Sequence, residues 1–326
     1  ASELSKKYKV ILRCYAYELF CPLVFWFDRK KVINCDNTIL KDHFTCVKCF
    51  HKHYPFLTGI LKIPVYALKK FIPSDLYVKI DSMIGYNKIY HEFYGSLGFL
   101  PFFRERTLEA IKKSHIIASN NLVGEILEQY NKNIYIIPGG VDIDRFIPVQ
   151  KNNNMIKRIL LSGNVDIIKG HQIMKEACRI LQKKRHDFKM CITLNRKDYI
   201  HKEEFIYNLG WADYREIHKL YQGSDICVVP SICREGFGLV AIEAMACGIP
   251  VVASEIGGLK SSIVDGVTGY LVPPGNPEKL AEKLEYLLDN PALREEMGKA
   301  GRKRAKENYS WEKIIEKYYI PLFENL

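Results

Sequence analysis

From Ile159 onward, short β-branched runs alternate with longer stretches whose apolar positions recur at helical spacing. That is the pattern of a parallel sheet covered by helices. Strands are predicted over 158–161, 188–193, 205–209, 226–229 and 250–253. Helices are predicted over 172–183 and 214–222, and another over 239–247 opens directly after a glycine-rich turn. Together these make a doubly wound α/β lobe. Its tail carries three helix-start signals, Asn276-Pro277-Glu278, Asn290-Pro291 and Ser310-Trp311-Glu312, each with a capping side chain before a helical run.

The earlier part of the chain reads differently. Only 10–14, 116–119 and 134–137 have strand character, and a full Rossmann-like lobe needs more strands than that. The chain begins with Ala1, and no glycine-rich strand-turn-helix precedes residue 10. The expectation is a front lobe short of its opening units, through processing or because another chain supplies them. The last stretch, 311–323, places Trp311, Ile314, Ile315, Tyr318, Tyr319 and Leu322 on a helical stripe.

Composition adds limits. The chain has 326 residues, with 48% apolar and 26% charged, so it is an ordinary globular sequence long enough for two lobes. The formal charge of +11 is front-loaded: 21 basic against 14 acidic side chains up to Ile147, then 27 against 23. A basic front suits an anionic partner such as a lipid headgroup or a pyrophosphate-linked acceptor, or is a solvated surface. Nucleic-acid binding has only this charge behind it and is not expected. Lys62, Lys69 and Lys70 interrupt the most apolar region, so no run reaches the about 18 residues that span a bilayer. Segment 54–73 lacks acidic residues and mixes Phe56, Leu57, Ile60 and Tyr66 with those lysines. It can rest on an anionic membrane surface, or be core divided by Pro55 and Pro64.

Ten cysteines without a secretory leader point to free thiols in a reducing, cytoplasmic setting, peripheral to the membrane if 54–73 docks there. Cys21, Cys35, Cys46 and Cys49, near His43, His51 and His53, contain one Cys-x-x-Cys. They form either a structural zinc set or small buried apolar groups, and the irregular spacing favours the second. Cys14, Cys178, Cys191, Cys227, Cys233 and Cys247 are expected to be packing residues. His91-Glu92 and His171 are candidates for acid–base chemistry, but the expectation is that His91 is a polar residue on a front-lobe helix and that His171 caps or borders the phosphate loop described next.

The chemistry concentrates in Arg234-Glu235-Gly236-Phe237-Gly238-Leu239 and the helix that follows, which carries Glu243. Gly236 and Gly238 let the backbone approach a ligand, and the free amides at the helix start attract a diphosphate. Glu243, in the second turn, can reach ribose hydroxyls. Glu235, before the turn, can accept from sugar hydroxyls or stabilise positive charge at an anomeric carbon.

This segment resembles the signature of glycosyltransferase family 4, whose members adopt the GT-B fold of two facing Rossmann-like lobes. The resemblance extends forward through Gly257-Gly258, Asp265-Gly266, Thr268-Gly269 and Leu271-Val272-Pro273, and back through Gly210-Trp211, Tyr221, Asp225 and Pro230-Ser231. It includes the linker-like Pro138-Gly139-Gly140-Val141-Asp142 and a phosphate loop over Ser162-Gly163 and Lys169-Gly170. It implies an incomplete acceptor-side lobe over 1–147, a nucleotide-sugar lobe over 148–310, and a closing helix over 311–326 that crosses back to the front lobe.

The implied activity is a retaining, metal-independent transfer of a hexose from a UDP- or GDP-sugar to a glycan or lipid-linked acceptor. Lys169 would neutralise the diphosphate, and Glu235 would face the sugar with the backbone of Gly236, Phe237, Gly238 and Leu239. Glu243 would hold the ribose, and Gly163 and Asn164 would line the phosphate loop. No metal is implied. Three residues depart from the pattern. Asn164 stands where relatives have an arginine, losing about 1.5–3 kcal/mol of charge-assisted bonding unless Arg196 or Arg234 replaces it. Ser261 stands for a common glutamate, and Tyr15 for a frequent histidine. These departures leave open an alternative, a non-catalytic or truncated subunit that binds nucleotide sugar without turnover.

Overall fold

The computed structural model describes residues 9–14, 27–28, 33–34, 99–150, 154–163, 167–193 and 203–326. Tyr15, the Cys21/Cys35/Cys46/Cys49 set with its histidines, segment 54–73, His91-Glu92, Asn164 and Arg196 lie outside the described residues. The chain divides into two compact units, one of Ala1–Ala118 with Val123–Ile136, the other of Ser119–Leu122 with Ile137–Leu326.

In the first unit, β1 (Ile11–Cys14), β4 (His115–Ala118) and β5 (Ile134–Ile136) form a parallel sheet with β4 in the middle. Two-residue strands β2 (Phe27–Asp28) and β3 (Ile33–Asn34) pair antiparallel. Helix α1 (Phe99–Lys112) leads into β4, and α2 (Asn121–Glu128) buries Val123 and Leu127 completely.

The second unit holds six strands, β6 (Lys157–Leu161), β7 (Phe188–Ile192), β8 (Ile206–Asn208), β9 (Ile226–Val229), β10 (Val251–Ser254) and β11 (Gly269–Val272). All pair parallel, in the order β11-β10-β9-β6-β7-β8. The five strands expected from the apolar runs are all present, within a residue or two of their expected ends. Both sheet faces are covered, and for that reason the strands read as continuous apolar runs rather than alternating ones. Leu160, Cys227 and Val251 pack on one face with Ala241, Ile242 and Met245. Their neighbours Ile159, Ile226 and Val252 pack on the other with Met174, Leu181, Leu284 and Leu287. Cys14, Cys178, Cys191, Cys227, Cys233 and Cys247 are buried, the packing role expected of them.

Helices α3 (His171–Gln182), α4 (Ile217–Gln222), α5 (Leu239–Ala246) and α6 (Leu259–Ser262) connect the strands. Helix α4 starts later than expected, because Asp213 forms a turn first by accepting from the backbone N–H of Arg215 at 2.9 Å. The tail helices are α7 (Pro277–Asp289) and α8 (Pro291–Tyr309). Asn276 caps α7 as expected, accepting from the Lys279 amide at 2.8 Å. Asn290 does not cap α8 with its side chain. It is the one residue between the two helices, and its amide group donates instead to Tyr286 O, satisfying a carbonyl at the end of α7.

The final stretch is helical from Trp311 but not uniformly α. A π-helical turn, Ile315–Tyr319, separates Trp311–Ile314 from Ile320–Glu324. Pro321 has no N–H for the carbonyl four residues back and crowds the preceding turn, which favours the wider winding. Of the expected stripe, Ile314 and Leu322 are buried and Tyr318 and Tyr319 half-buried, whereas Trp311 and Ile315 are exposed.

This helix is fastened to the start of the unit. Val141 pairs with Ser310 in a parallel bridge and donates its amide to Tyr309 O at 2.7 Å. Arg302 reinforces the fastening, donating to the carbonyls of Ile143, Phe146 and Ala246 at 2.6–3.0 Å. Among the described residues no helix is long and apolar enough to cross a membrane.

Candidate functional site at the carboxyl ends of the parallel strands

In the six-stranded sheet, β6 and β9 are neighbours although β7 and β8 lie between them in the chain. The winding therefore reverses between β6 and β9, and connections leaving their carboxyl ends diverge, opening a crevice where open α/β sheets bind ligands. Those connections are 162–170 and 230–238, which hold most of the residues singled out from the sequence.

The two connections are tied together. The Ile232 amide donates to Ile168 O at 3.0 Å, and Lys169 Nζ meets Glu235 Oε1 at 2.7 Å. Ser231 Oγ donates to the same carboxylate oxygen. The Glu235 side chain is only 13% exposed and that of Lys169 44%, so the lysine reaches in from solvent to a nearly buried acid. Gly163 follows β6 and exchanges hydrogen bonds with the Thr193 hydroxyl after β7, at 3.0 and 3.1 Å.

Gly238 precedes α5 with φ 82°, a left-handed conformation that a side chain would strain. Behind the turn, Gly257 and Gly258 press against it: the Gly258 amide donates to Glu235 O at 2.9 Å, and a Cβ on Gly257 would stand 2.3 Å from that oxygen. Ser262 Oγ donates to Phe237 O at 3.0 Å, and the Phe237 ring meets Tyr309 edge-on at 5.5 Å. Arg304 braces this support, donating to the carbonyls of Ser261 and Ser262. The Ser261 hydroxyl donates to Gly258 O, so the residue that departs from the family pattern takes a local structural contact.

Helix α5 is apolar nearly all round and sunk in the core, which fixes Glu243 in its second turn. Glu243 Oε2 accepts from the fully buried Tyr221 hydroxyl at 2.7 Å, and the Tyr221 hydroxyl oxygen lies 3.3 Å from Ser162 Oγ at the end of β6. Burial raises the Glu243 carboxyl above the ordinary glutamate range, with the Tyr221 hydrogen bond pulling the other way. Tyr221 is itself pushed well up, first by burial and then by the Glu243 charge. His171 is buried as the first residue of α3, next to Gly170.

The structure therefore brings Lys169, Glu235 and the Gly236–Leu239 turn together, with Glu243 further along the same helix. It also adds a residue missed in the sequence. Asn120, buried between β4 and α2, donates its side-chain amide to Gly236 O from 116 positions away. In the sequence it stands within Ser119-Asn120-Asn121, which reads only as a helix start; no local pattern marks it. Among the described residues, no group of three His, Cys, Asp or Glu side chains is arranged to hold a metal ion.

Comparison with known proteins fits this geometry. Residues 142–304 match the family described as glycosyl transferases group 1, and the chain belongs to that family. It is 34% identical over 214 residues to a D-inositol 3-phosphate glycosyltransferase of Paenarthrobacter aurescens, covering 58% of this chain and 52% of the relative. To an uncharacterised glycosyltransferase of Methanocaldococcus jannaschii it is 33% identical over 207 residues, covering 64% and 53%. The chain thus spans about half the length of the curated relatives it matches. Among solved structures, S. aureus TarM in a complex containing UDP superposes with a TM-score of 0.59 at 26% identity, covering 68% of this chain and 46% of TarM. Anabaena HepE in complex with UDP superposes at 0.58 and 19% identity, covering 65% and 64%, a likeness of fold. The fold is that of the GT-B glycosyltransferases, α/β with parallel sheets.

Proposed function

We propose that this chain carries the donor site of a retaining, metal-independent hexosyltransferase that takes its sugar from a UDP- or GDP-linked donor. The observation that carries this reading is the Gly236–Leu239 turn at the mouth of α5, with Lys169 and Glu235 clasped beside it and Glu243 in the second turn. An ion pair with one partner nearly half exposed contributes about 0–1 kcal/mol. A donor diphosphate, bearing more than one negative charge, would therefore draw Lys169 away from Glu235 at little cost. The freed carboxylate then faces the sugar, beside the amides that bind the leaving group. The acceptor hydroxyl attacks on the leaving group's own face, and a diphosphate oxygen takes its proton. Glu235 stabilises charge and is not the nucleophile.

UDP is the first donor nucleotide to try, since it is named in the TarM and HepE complexes. The acceptor class is a glycan or a lipid-linked saccharide. The Paenarthrobacter relative's name adds phosphorylated inositol to the acceptors worth testing. Product mass spectrometry with UDP- and GDP-hexoses tests transfer, and calorimetry with UDP and GDP tests binding. Glu235→Ala is expected to abolish transfer while leaving UDP affinity within about threefold, because the net worth of one contact is small for binding and large for the transition state. Binding with no transfer to any acceptor would instead favour a non-catalytic nucleotide-sugar-binding subunit. If neither nucleotide binds, the donor-site reading fails.

A further inference from the structure

We infer that Asn120 is a positioning residue for the donor diphosphate: by holding Gly236 O it sets the plane of the Gly236–Phe237 peptide and so aims the Phe237 N–H. This rests on the donor-site reading above and names a residue that the signature segment does not contain.

A trans peptide is planar, and its N–H points away from its own C=O. Anchoring a carbonyl therefore fixes the direction of the next residue's amide. In this turn four successive carbonyls are anchored. Glu235 O accepts from the Gly258 amide at 2.9 Å, Gly236 O from Asn120 Nδ2, and Phe237 O from Ser262 Oγ at 3.0 Å. Gly238 O accepts from the Ala241 amide inside α5 at 2.9 Å. Three of these anchors come from the turn's own surroundings, within 258–262 or within the helix. The Gly236–Phe237 peptide is held from elsewhere in the chain.

It is also the peptide most in need of an anchor. Gly236 has no side chain to limit its rotation, and glycine crosses between backbone regions at little cost. A flip of this one peptide would turn the Phe237 N–H away from a bound anion and present a carbonyl oxygen in its place. Asn120 is 6% exposed, so its bond to Gly236 O is made out of contact with bulk water. Asn120 holds the peptide by its carbonyl, so it acts on a bound anion through the Phe237 N–H.

The test uses Asn120→Ala and the near-isosteric Asn120→Asp, whose carboxylate can accept but not donate, in the whole chain. Calorimetry is run with uridine, UMP and UDP. Loss of a buried hydrogen bond is expected to weaken UDP about tenfold in either variant. Uridine affinity should be unchanged, because Glu243, assigned to the ribose, is untouched. Equal losses for uridine and UDP would show a merely structural role and overturn the inference, as would unchanged UDP affinity.

In the ligand-free protein, the carbonyl carbon resonance of Gly236 reports the hydrogen bond directly. It should shift in both variants while cooperative unfolding is retained, and no shift would overturn the assignment whatever the ligand does. Wild-type protein that binds neither UDP nor GDP, yet shows the Gly236 shift on substitution, would overturn the donor-site reading and with it the diphosphate role. The peptide anchor itself would stand.

Discussion

Glu243 is held where a carboxylate is costly: in the second turn of a core helix, with one hydrogen bond from Tyr221. Burial raises its carboxyl, so the folded protein favours the protonated form relative to the unfolded chain. Stability from this group is then fully present below the unfolded value of about 4.3 and is lost as pH rises through the higher folded value. Glu243→Gln is expected to melt at a higher temperature than wild type near pH 7, with the gap closing toward about pH 4. A lower melting temperature near neutrality would mean that the Tyr221 bond to the anion outweighs burial. The side chains of this site were legible to different degrees. Glu235, Glu243 and Lys169 stand in a recognisable run of residue types. Asn120 does not, because a contact 116 positions away leaves no trace in local spacing.

The turn before α5 and the turn after β10 act as one piece, since Gly257 and Gly258 leave no room between them for a side chain. Gly257→Ala would place a methyl 2.3 Å from Glu235 O at a residue with φ 54°. The expected cost is about 2–4 kcal/mol in denaturant unfolding, unless the Glu235 loop moves away. In that case stability is kept and nucleotide affinity falls instead. A variant with neither effect would contradict the close packing described. The tail offers a second comparison. Asn276→Ala should cost about 1 kcal/mol because its carboxamide caps α7, whereas Asn290→Ala should cost clearly less, since its side chain makes no cap bond to α8. Both asparagines precede proline and read alike in sequence. What separates them is the absence of a linker between α7 and α8, which gives Asn290 to the end of one helix rather than the start of the next. In the closing stretch the apolar period places Ile314 and Leu322 inside as expected, while Trp311 and Ile315 stay exposed.

Across the molecule, legibility followed how each region buries its apolar groups. The six-stranded sheet is covered on both faces, so each strand is a short apolar run between amphipathic helices. The first unit's described sheet has three strands, and β1 and β4 pair although about 100 positions separate them, a partnership that periodicity cannot announce. A ligand held at the carboxyl ends of β6 and β9 should stabilise the second unit by mass action. At a hundredfold excess over its Kd, UDP is expected to add about 2.7 kcal/mol and raise the melting temperature, while uridine at the same concentration adds less. No dependence on UDP would count against binding there. The bridge from Val141 to Ser310, locked by Arg302, brings the beginning of this unit's main stretch beside its last helix. Loosening one end should therefore loosen the other: Arg302→Ala is expected to speed hydrogen exchange at the Val141 amide and along the final helix together, as read by mass spectrometry.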